Sequence, residues 1–241
     1  MIKEKFGTSK FATREKICWF VEHLGPISYR TGCFWLYKND RPYFEIPHDA
    51  PGVKAFNNLI IKMRKDGQIQ LVTKPDPAGE QNIRSYVLPT RSKEFKDTHY
   101  YHHEDLSNAI IIAFEKAGVD CQDWQRFGRN MAPHIQTRDG DVFHSPDRYG
   151  LIDGKHCYFE LELTRKSEER TRRNFAWYRA AVKQGILNEP STIIFIARDD
   201  KDRDWLAANA IAERVPDNVF LCTLPEILAD PTVSAIYKAA A

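Results

Sequence analysis

The chain has 241 residues, 42% of them hydrophobic, with 35 Lys+Arg against 33 Asp+Glu and a formal net charge of +2 at pH 7. That length holds one large or two modest domains with cores of their own. The longest apolar run, Ala109 to Phe114, falls far short of the ~20 residues of a membrane span. Met1 to Lys10 lacks the apolar stretch of a signal peptide, so a cytoplasmic protein is expected. The five cysteines (Cys18, Cys33, Cys121, Cys157 and Cys222) are scattered and form no CxxC pair. This pattern argues against a disulfide framework and a zinc site, and leaves them as small buried residues.

Charge is unevenly spread. Residues 1–98 carry 17 Lys+Arg against 11 Asp+Glu, or +6, and residues 99–241 carry 18 against 22, or −4. A basic module joined to an acidic one suggests that the first meets a polyanion and the second gathers carboxylates.

In chain order, a first helix is expected from Arg14 to Leu24, capped by Thr13, with Ile17, Cys18, Phe20, Val21 and Leu24 on its apolar side and Gly25-Pro26 at its end. The aromatic stretch from Ile27 to Asp49 suits a short hairpin, and its role stays open. After Pro51 the spacing of Val53, Phe56, Leu59, Ile60 and Met63 predicts a second helix, stopping at Asp66-Gly67. Its other face shows Lys54, Asn57, Asn58, Lys62 and Lys65, donors suited to phosphates and base edges. Strands Gln68 to Thr73 and Ile83 to Leu88 follow, joined by the turn-rich Lys74 to Gly79, with Lys74 and Arg84 as basic residues of a wing. Helix, glycine and basic hairpin make the order of a winged helix-turn-helix, whose second helix reads the major groove.

Residues 89–101 read as a linker. Beyond it come a helix from His103 to Gly118, a strand near Cys121 to Phe127, a hairpin from Val142 to Thr164 and a basic helix from Ser167 to Gln184. A strand Thr192 to Ala197, a helix Asp202 to Arg214, a strand Asn218 to Cys222 and a short helix from Pro225 complete the chain. Antiparallel strands followed by α/β crossovers predict a mixed sheet flanked by helices. His102 and His103, at the expected helix start, suit either capping or a metal or phosphate contact.

The hairpin carries the chemistry. Asp153-Gly154 between strand-like residues favours a two-residue type I′ turn. If Ile152 pairs with Lys155, then Tyr149 falls opposite Tyr158 and Asp147 opposite Glu160, with Glu162 on the same face. Phe159, Leu161 and Leu163 point into a core. Three carboxylates in one patch require either bulk water or a cation, and Mg²⁺ suits an oxygen-only set in which it keeps several waters. The same alternation also fits a half-exposed strand whose glutamates face solvent.

The basic helix has two readings. Arg170, Arg172, Arg173 and Arg179 would follow a DNA backbone, or Glu169 and Arg173 form an i, i+4 pair on an exposed surface. His144 stands at the rim of the expected cleft.

The order winged helix, Tyr101-His102-His103-Glu104-Asp105-Leu106, Trp124, Ser145-Pro146-Asp147, Phe159-Glu160-Leu161-Glu162-Leu163-Thr164 and a basic helix with Tyr178 resembles the replication-relaxation family of plasmid and mobile-element proteins. That family joins a winged helix to a domain similar to PD-(D/E)xK nucleases. The resemblance implies that Asp147 and Glu160 bind metal. Its third motif position, normally Lys, is Glu162 here. It points to Arg173, Lys183 or Lys166 as a displaced basic residue, and to Glu104 or Glu115 as a further acid.

The expected fold is therefore α+β: a winged helix at 1–98 followed by a restriction-endonuclease-like mixed α/β domain at 99–241. The expected function is double-stranded DNA binding on a mobile genetic element. Phosphodiester cleavage would use Mg²⁺, or Mn²⁺, held by Asp147 and Glu160, with Glu162 taking a water or a second metal. The alternative is a non-enzymatic regulator or plasmid relaxation or replication accessory factor with an inactive nuclease fold. A homodimer, with a relaxase, transposase or replication protein as partner, is expected by analogy.

Overall fold

The computed structural model describes residues 10–37, 41–75, 83–92, 97–126, 134–137, 140–187, 191–232 and 237–238. It is a mixed α+β structure in two compact units, Met1–Ile112 and Ala113–Ala241. The division falls within one helix, further along than the polar segment that the sequence offers as a linker.

In the first unit, α1 (Lys10–His23) leads to β1 (Ile27–Ser28), α2 (Tyr29–Leu36), a 3-10 turn at Tyr43–Glu45, α3 (Pro51–Lys65), β2 (Ile69–Pro75) and β3 (Ile83–Pro89). The strands form one sheet in the order β1-β3-β2, antiparallel throughout. Ile17, Phe20 and Val21 of α1, with Leu24 just after it, and Val53, Phe56, Ile60 and Met63 of α3 are buried, as the helical spacing of apolar residues predicts. α1 starts four residues before its expected beginning at Arg14. The tip expected between the wing strands, 76–79, lies outside the described residues.

Among its described residues, the stretch 27–49 forms no hairpin. Ser28 caps α2, its hydroxyl accepting from the Thr31 N–H at 3.2 Å, and Phe34 packs edge-on against Tyr43. The aromatic residues that suited a short hairpin are spent on a helix and a tight turn. Gly32 sits where a Cβ would fall 2.2 Å from the Phe56 ring, so the α2 backbone lies directly on α3.

Helix α4 (Thr98–Lys116) begins five residues before its expected start, because Tyr101 in its first turn packs against Tyr86 of β3, ring centroids 5.3 Å apart. Within the first unit it carries a buried polar knot. Asp105, fully buried, accepts from the Ser28 N–H at 2.6 Å, and Asn108 donates to the Pro26 carbonyl at 2.9 Å. Burial pushes the Asp105 carboxyl up, against the bonds from Thr31 and Ser28.

In the second unit, β4 (Cys121–Arg126), β7 (Arg148–Ile152), β8 (Lys155–Glu162), β9 (Ser191–Ala197), β10 (Val219–Thr223) and β11 (Tyr237–Lys238) form a six-stranded mixed sheet. β4, β7 and β8 are antiparallel neighbours, β8, β9 and β10 are parallel, and β11 closes the far edge antiparallel. β5 (His134–Thr137) and β6 (Gly140–Phe143) make a separate two-stranded ribbon. Helices α5 (Glu168–Lys183) and α6 (Asp200–Glu213) cross between the parallel strands, and α7 (Leu224–Ala229) follows β10. Phe175, Trp177 and Tyr178 of α5 pack with Tyr158, Ile193, Phe195 and Leu221 in one core. On the edge, β4 has a bulge at Asp123, whose φ is +54°, which sets Trp124 against Gly150; a Cβ on Gly150 would lie 2.5 Å from the indole.

Candidate functional site

The β7–β8 turn is type I′ in form, with φ of +48° at Asp153 and +73° at Gly154. The register that such a turn fixes runs Ile152 with Lys155, Tyr149 with Tyr158 and Arg148 with Phe159. It therefore brings Asp147, just before β7, alongside Glu160. The Asp147 N–H donates to the Phe159 carbonyl at 3.2 Å, and its Oδ2 accepts from the Leu161 N–H at 2.7 Å. Both residues stand at the carboxyl end of β8, where open α/β sheets present their ligand sites.

Arg148 is 1% exposed, and its guanidinium donates to the Asp147 carbonyl at 2.8 Å, pinning the start of the strand from behind. Glu160 is 2% exposed, which rules out the reading of this strand face as open to solvent. Its Oε1 accepts from the Tyr178 hydroxyl at 2.5 Å and lies 2.6 Å from His144 Nε2. Burial, then the Glu160 charge, pushes the Tyr178 phenol well above its usual range, so it stays protonated as a donor. His144 is held edge-on against Trp177 and Tyr178.

Glu162 is also buried and pairs with Lys166 one turn on, in a close ion pair. Burial raises the Glu162 carboxyl, opposed by Lys166 and aided by Glu160 and Asp147. For Lys166, burial works against the charge, but Glu162, Glu160 and Asp147 outweigh it and leave the ammonium above its usual range. Lys166 is thus a cation at neutral pH, and it feels all three carboxylates.

Of the displaced basic residues that the resemblance offers, Arg173 and Lys183 are exposed on α5, and Lys166 is the one paired with a carboxylate of this face. Glu104 belongs to the first unit and Glu115 to the second. His102 and His103 lie in the second turn of α4 rather than at its start, His102 Nδ1 3.2 Å from Arg84 and His103 3.9 Å from Glu104.

The donor chemistry suits a hard divalent cation, since it consists of carboxylate oxygens, Asp147 just before β7 and Glu160 on β8. Among the described residues, however, no group of three or more His, Cys, Asp or Glu is arranged to hold a metal ion. Asp147 and Glu160 are the two carboxylates that would be available to such an ion.

On the basic helix the expected Glu169–Arg173 pair is not the one formed. Arg172 pairs with Glu168 at 2.6 Å, and Arg179 turns to Glu213 at 3.5 Å. Arg170 and Arg173 are exposed and form no ion pair among the described residues. On α3, Lys54, Asn58, Lys62 and Lys65 are exposed and Asn57 is half-buried. The two wing residues are used inside the unit: Lys74 lies 5.3 Å over the Tyr101 ring, and Arg84 meets His102. The cysteines are free; Cys33, Cys157 and Cys222 are buried, Cys18 and Cys121 partly so. Among the described residues no helix is long and apolar enough to cross a membrane.

No protein-family model and no curated protein matches the sequence. Among solved structures, the chain is similar to protein VC1899 from Vibrio cholerae, at 12% identity and a TM-score of 0.35, over 74% of this chain and 48% of that one. The chain spans about half the length of that protein, and a likeness of this size carries no argument about function.

Proposed function

We propose that the chain binds double-stranded DNA through a winged helix in its first unit and presents a PD-(D/E)xK-like nuclease domain in its second. Support for the first half is the element order α1-β1-α2-α3-β2-β3 with sheet order β1-β3-β2. In that arrangement α3 is the recognition helix, and its Lys54, Asn58, Lys62 and Lys65 are exposed for phosphates and base edges, with Asn57 at the margin. Support for the second half is the series of three antiparallel strands, crossover helix and parallel strand formed by β4, β7, β8, α5 and β9.

The observation that carries the reading is the Asp147–Glu160 juxtaposition at the carboxyl end of β8. Asp147 and Glu160 would hold Mg²⁺ or Mn²⁺, which when bound polarises a phosphodiester and generates a nucleophile from water. The protein's own part is to orient the carboxylates: Leu161 N–H and Arg148 fix Asp147, and Tyr178 and His144 fix Glu160. Arg170 and Arg173 would then track the DNA backbone beside the site. A mobile-element setting, a homodimer and a relaxase, transposase or replication partner extend this reading by resemblance.

A second reading, a DNA-binding regulator with a retired nuclease fold, is favoured by one observation: the buried glutamates already have internal donors, Tyr178 and His144 on Glu160 and Lys166 on Glu162. Duplex binding followed by fluorescence anisotropy over a salt series tests what both readings share. The expected result is affinity that falls steeply with salt and weakens in the Lys54→Ala, Lys62→Ala, Lys65→Ala triple variant. Affinity indifferent to salt and to all three lysines would remove DNA from the account.

A further inference from the structure

The third motif position holds Glu162, which by analogy would carry a water or a second metal. The geometry gives it another task. Its oxygen is engaged by the Lys166 ammonium, with both side chains largely buried, at 9% and 21% exposure. The segment between them is pinned at both ends. The Glu162 carbonyl accepts from the Arg198 N–H at 3.1 Å, and Ser167 caps α5 by accepting from the Arg170 N–H at 3.3 Å. Arg165, the neighbouring cation, is turned elsewhere: it donates to Asp202 at 2.7 Å and lies 5.4 Å over the Trp205 ring. Lys166 is therefore the cation delivered to this face, and Glu162 is what keeps it there.

We propose that Glu162 is a positioning residue rather than a metal ligand, and that Lys166, held by it, is the residue that meets the DNA phosphate at this site. The inference rests on the reading of Asp147 and Glu160 as the cation site. Formal charge supports it: three carboxylates and one ammonium sum to −2, which a single divalent cation brings to zero with Lys166 still in place. A fixed ammonium beside that cation would face the phosphate oxygens that gain charge as the ester is attacked.

The test needs no cleavage activity. Mn²⁺ affinity of the full chain is measured by the EPR signal of free Mn²⁺, for wild type, Asp147→Ala, Glu162→Gln, Lys166→Met and the swap Glu162→Lys with Lys166→Glu. Circular dichroism confirms that each is folded, and Lys166→Gln, which also removes the charge, replaces any Lys166→Met preparation that is not. Glu162→Gln and the swap should bind Mn²⁺ within about threefold of wild type, while Asp147→Ala loses tenfold or more, about 1.4 kcal/mol. In duplex titrations over a salt series with Ca²⁺ present, Lys166→Met should lower the slope by about one phosphate contact, and the swap should restore it. If Glu162→Gln loses Mn²⁺ as Asp147→Ala does, Glu162 is a ligand and the proposal is wrong while the metal reading stands. An unchanged salt slope in Lys166→Met also overturns it. Wild type that binds Mn²⁺ no better than Asp147→Ala removes the metal reading, and this inference with it.

Discussion

The two units use their charges in opposite ways. On α3 the lysines stand in solvent and form no ion pair among the described residues, while at the end of β8 the carboxylates are buried and each is matched by a donor from the same unit. An exposed cation can be lost at little cost to the fold, so its presence is informative about partners. A buried charge is held only by its neighbours, so altering one disturbs stability and function together.

That contrast is sharpest at Lys166. Lys166→Met leaves Glu162 buried without its cation and should cost about 2–4 kcal/mol in urea unfolding. Gly150→Ala, which touches no charge, should cost about 1–3 kcal/mol by driving a methyl into Trp124, with duplex affinity unchanged. The α3 substitutions Lys54→Ala, Lys62→Ala and Lys65→Ala should each stay within about 0.5 kcal/mol of wild type. Each should instead lower the slope of log affinity on log salt by about one. A large loss of stability in any of the three would break the comparison from the first unit's side.

The pH dependence of stability sharpens it further. The Glu162 carboxyl is raised by burial, so its contribution is full below the ordinary glutamate pKa and is lost as pH rises through the folded value. Lys166 is raised too, and its contribution persists until strongly alkaline pH, where the ammonium is lost. Relative to wild type, Glu162→Gln should therefore gain stability as pH rises from the ordinary glutamate pKa through the raised folded value. A difference that stays flat across that range would mean that Glu162 is not the group titrating. The gain should be the smallest of these effects, because Lys166 already offsets part of the burial.

The sequence carried the turn of the hairpin because Asp153-Gly154 is a strong local signal: a two-residue turn sets the register of every pair behind it, and Asp147 and Glu160 follow, whereas Val142, expected within the hairpin, belongs to β6 and pairs with Ile135. Most helices and strands were legible for the same local reason, from apolar spacing and caps such as Ser167. The stretch 27–49 was not, because an aromatic run does not say whether it packs as strand or helix; the Ser28 cap and the Phe34–Tyr43 contact decide it. The early start of α4 depends on Tyr101 meeting Tyr86, a contact between distant residues that local polarity hides. Lys166 was legible only as a nearby cation. Its pairing depends on where the chain turns after β8, although the i, i+4 spacing from Glu162 was there to be read. Tyr178 was noted for the resemblance, but its bond to Glu160 needs the packing of α5 on the sheet.

The most direct test of the account incubates the pure protein with supercoiled plasmid in Mg²⁺, Mn²⁺ or EDTA, with Asp147→Ala alongside. Nicked or linear plasmid is expected with either metal, none in EDTA, and none from Asp147→Ala, which still shifts the plasmid's mobility. Plasmid that is shifted but never cut, by wild type and variant alike, would contradict the nuclease reading and leave a DNA-binding protein whose carboxylates serve only the fold.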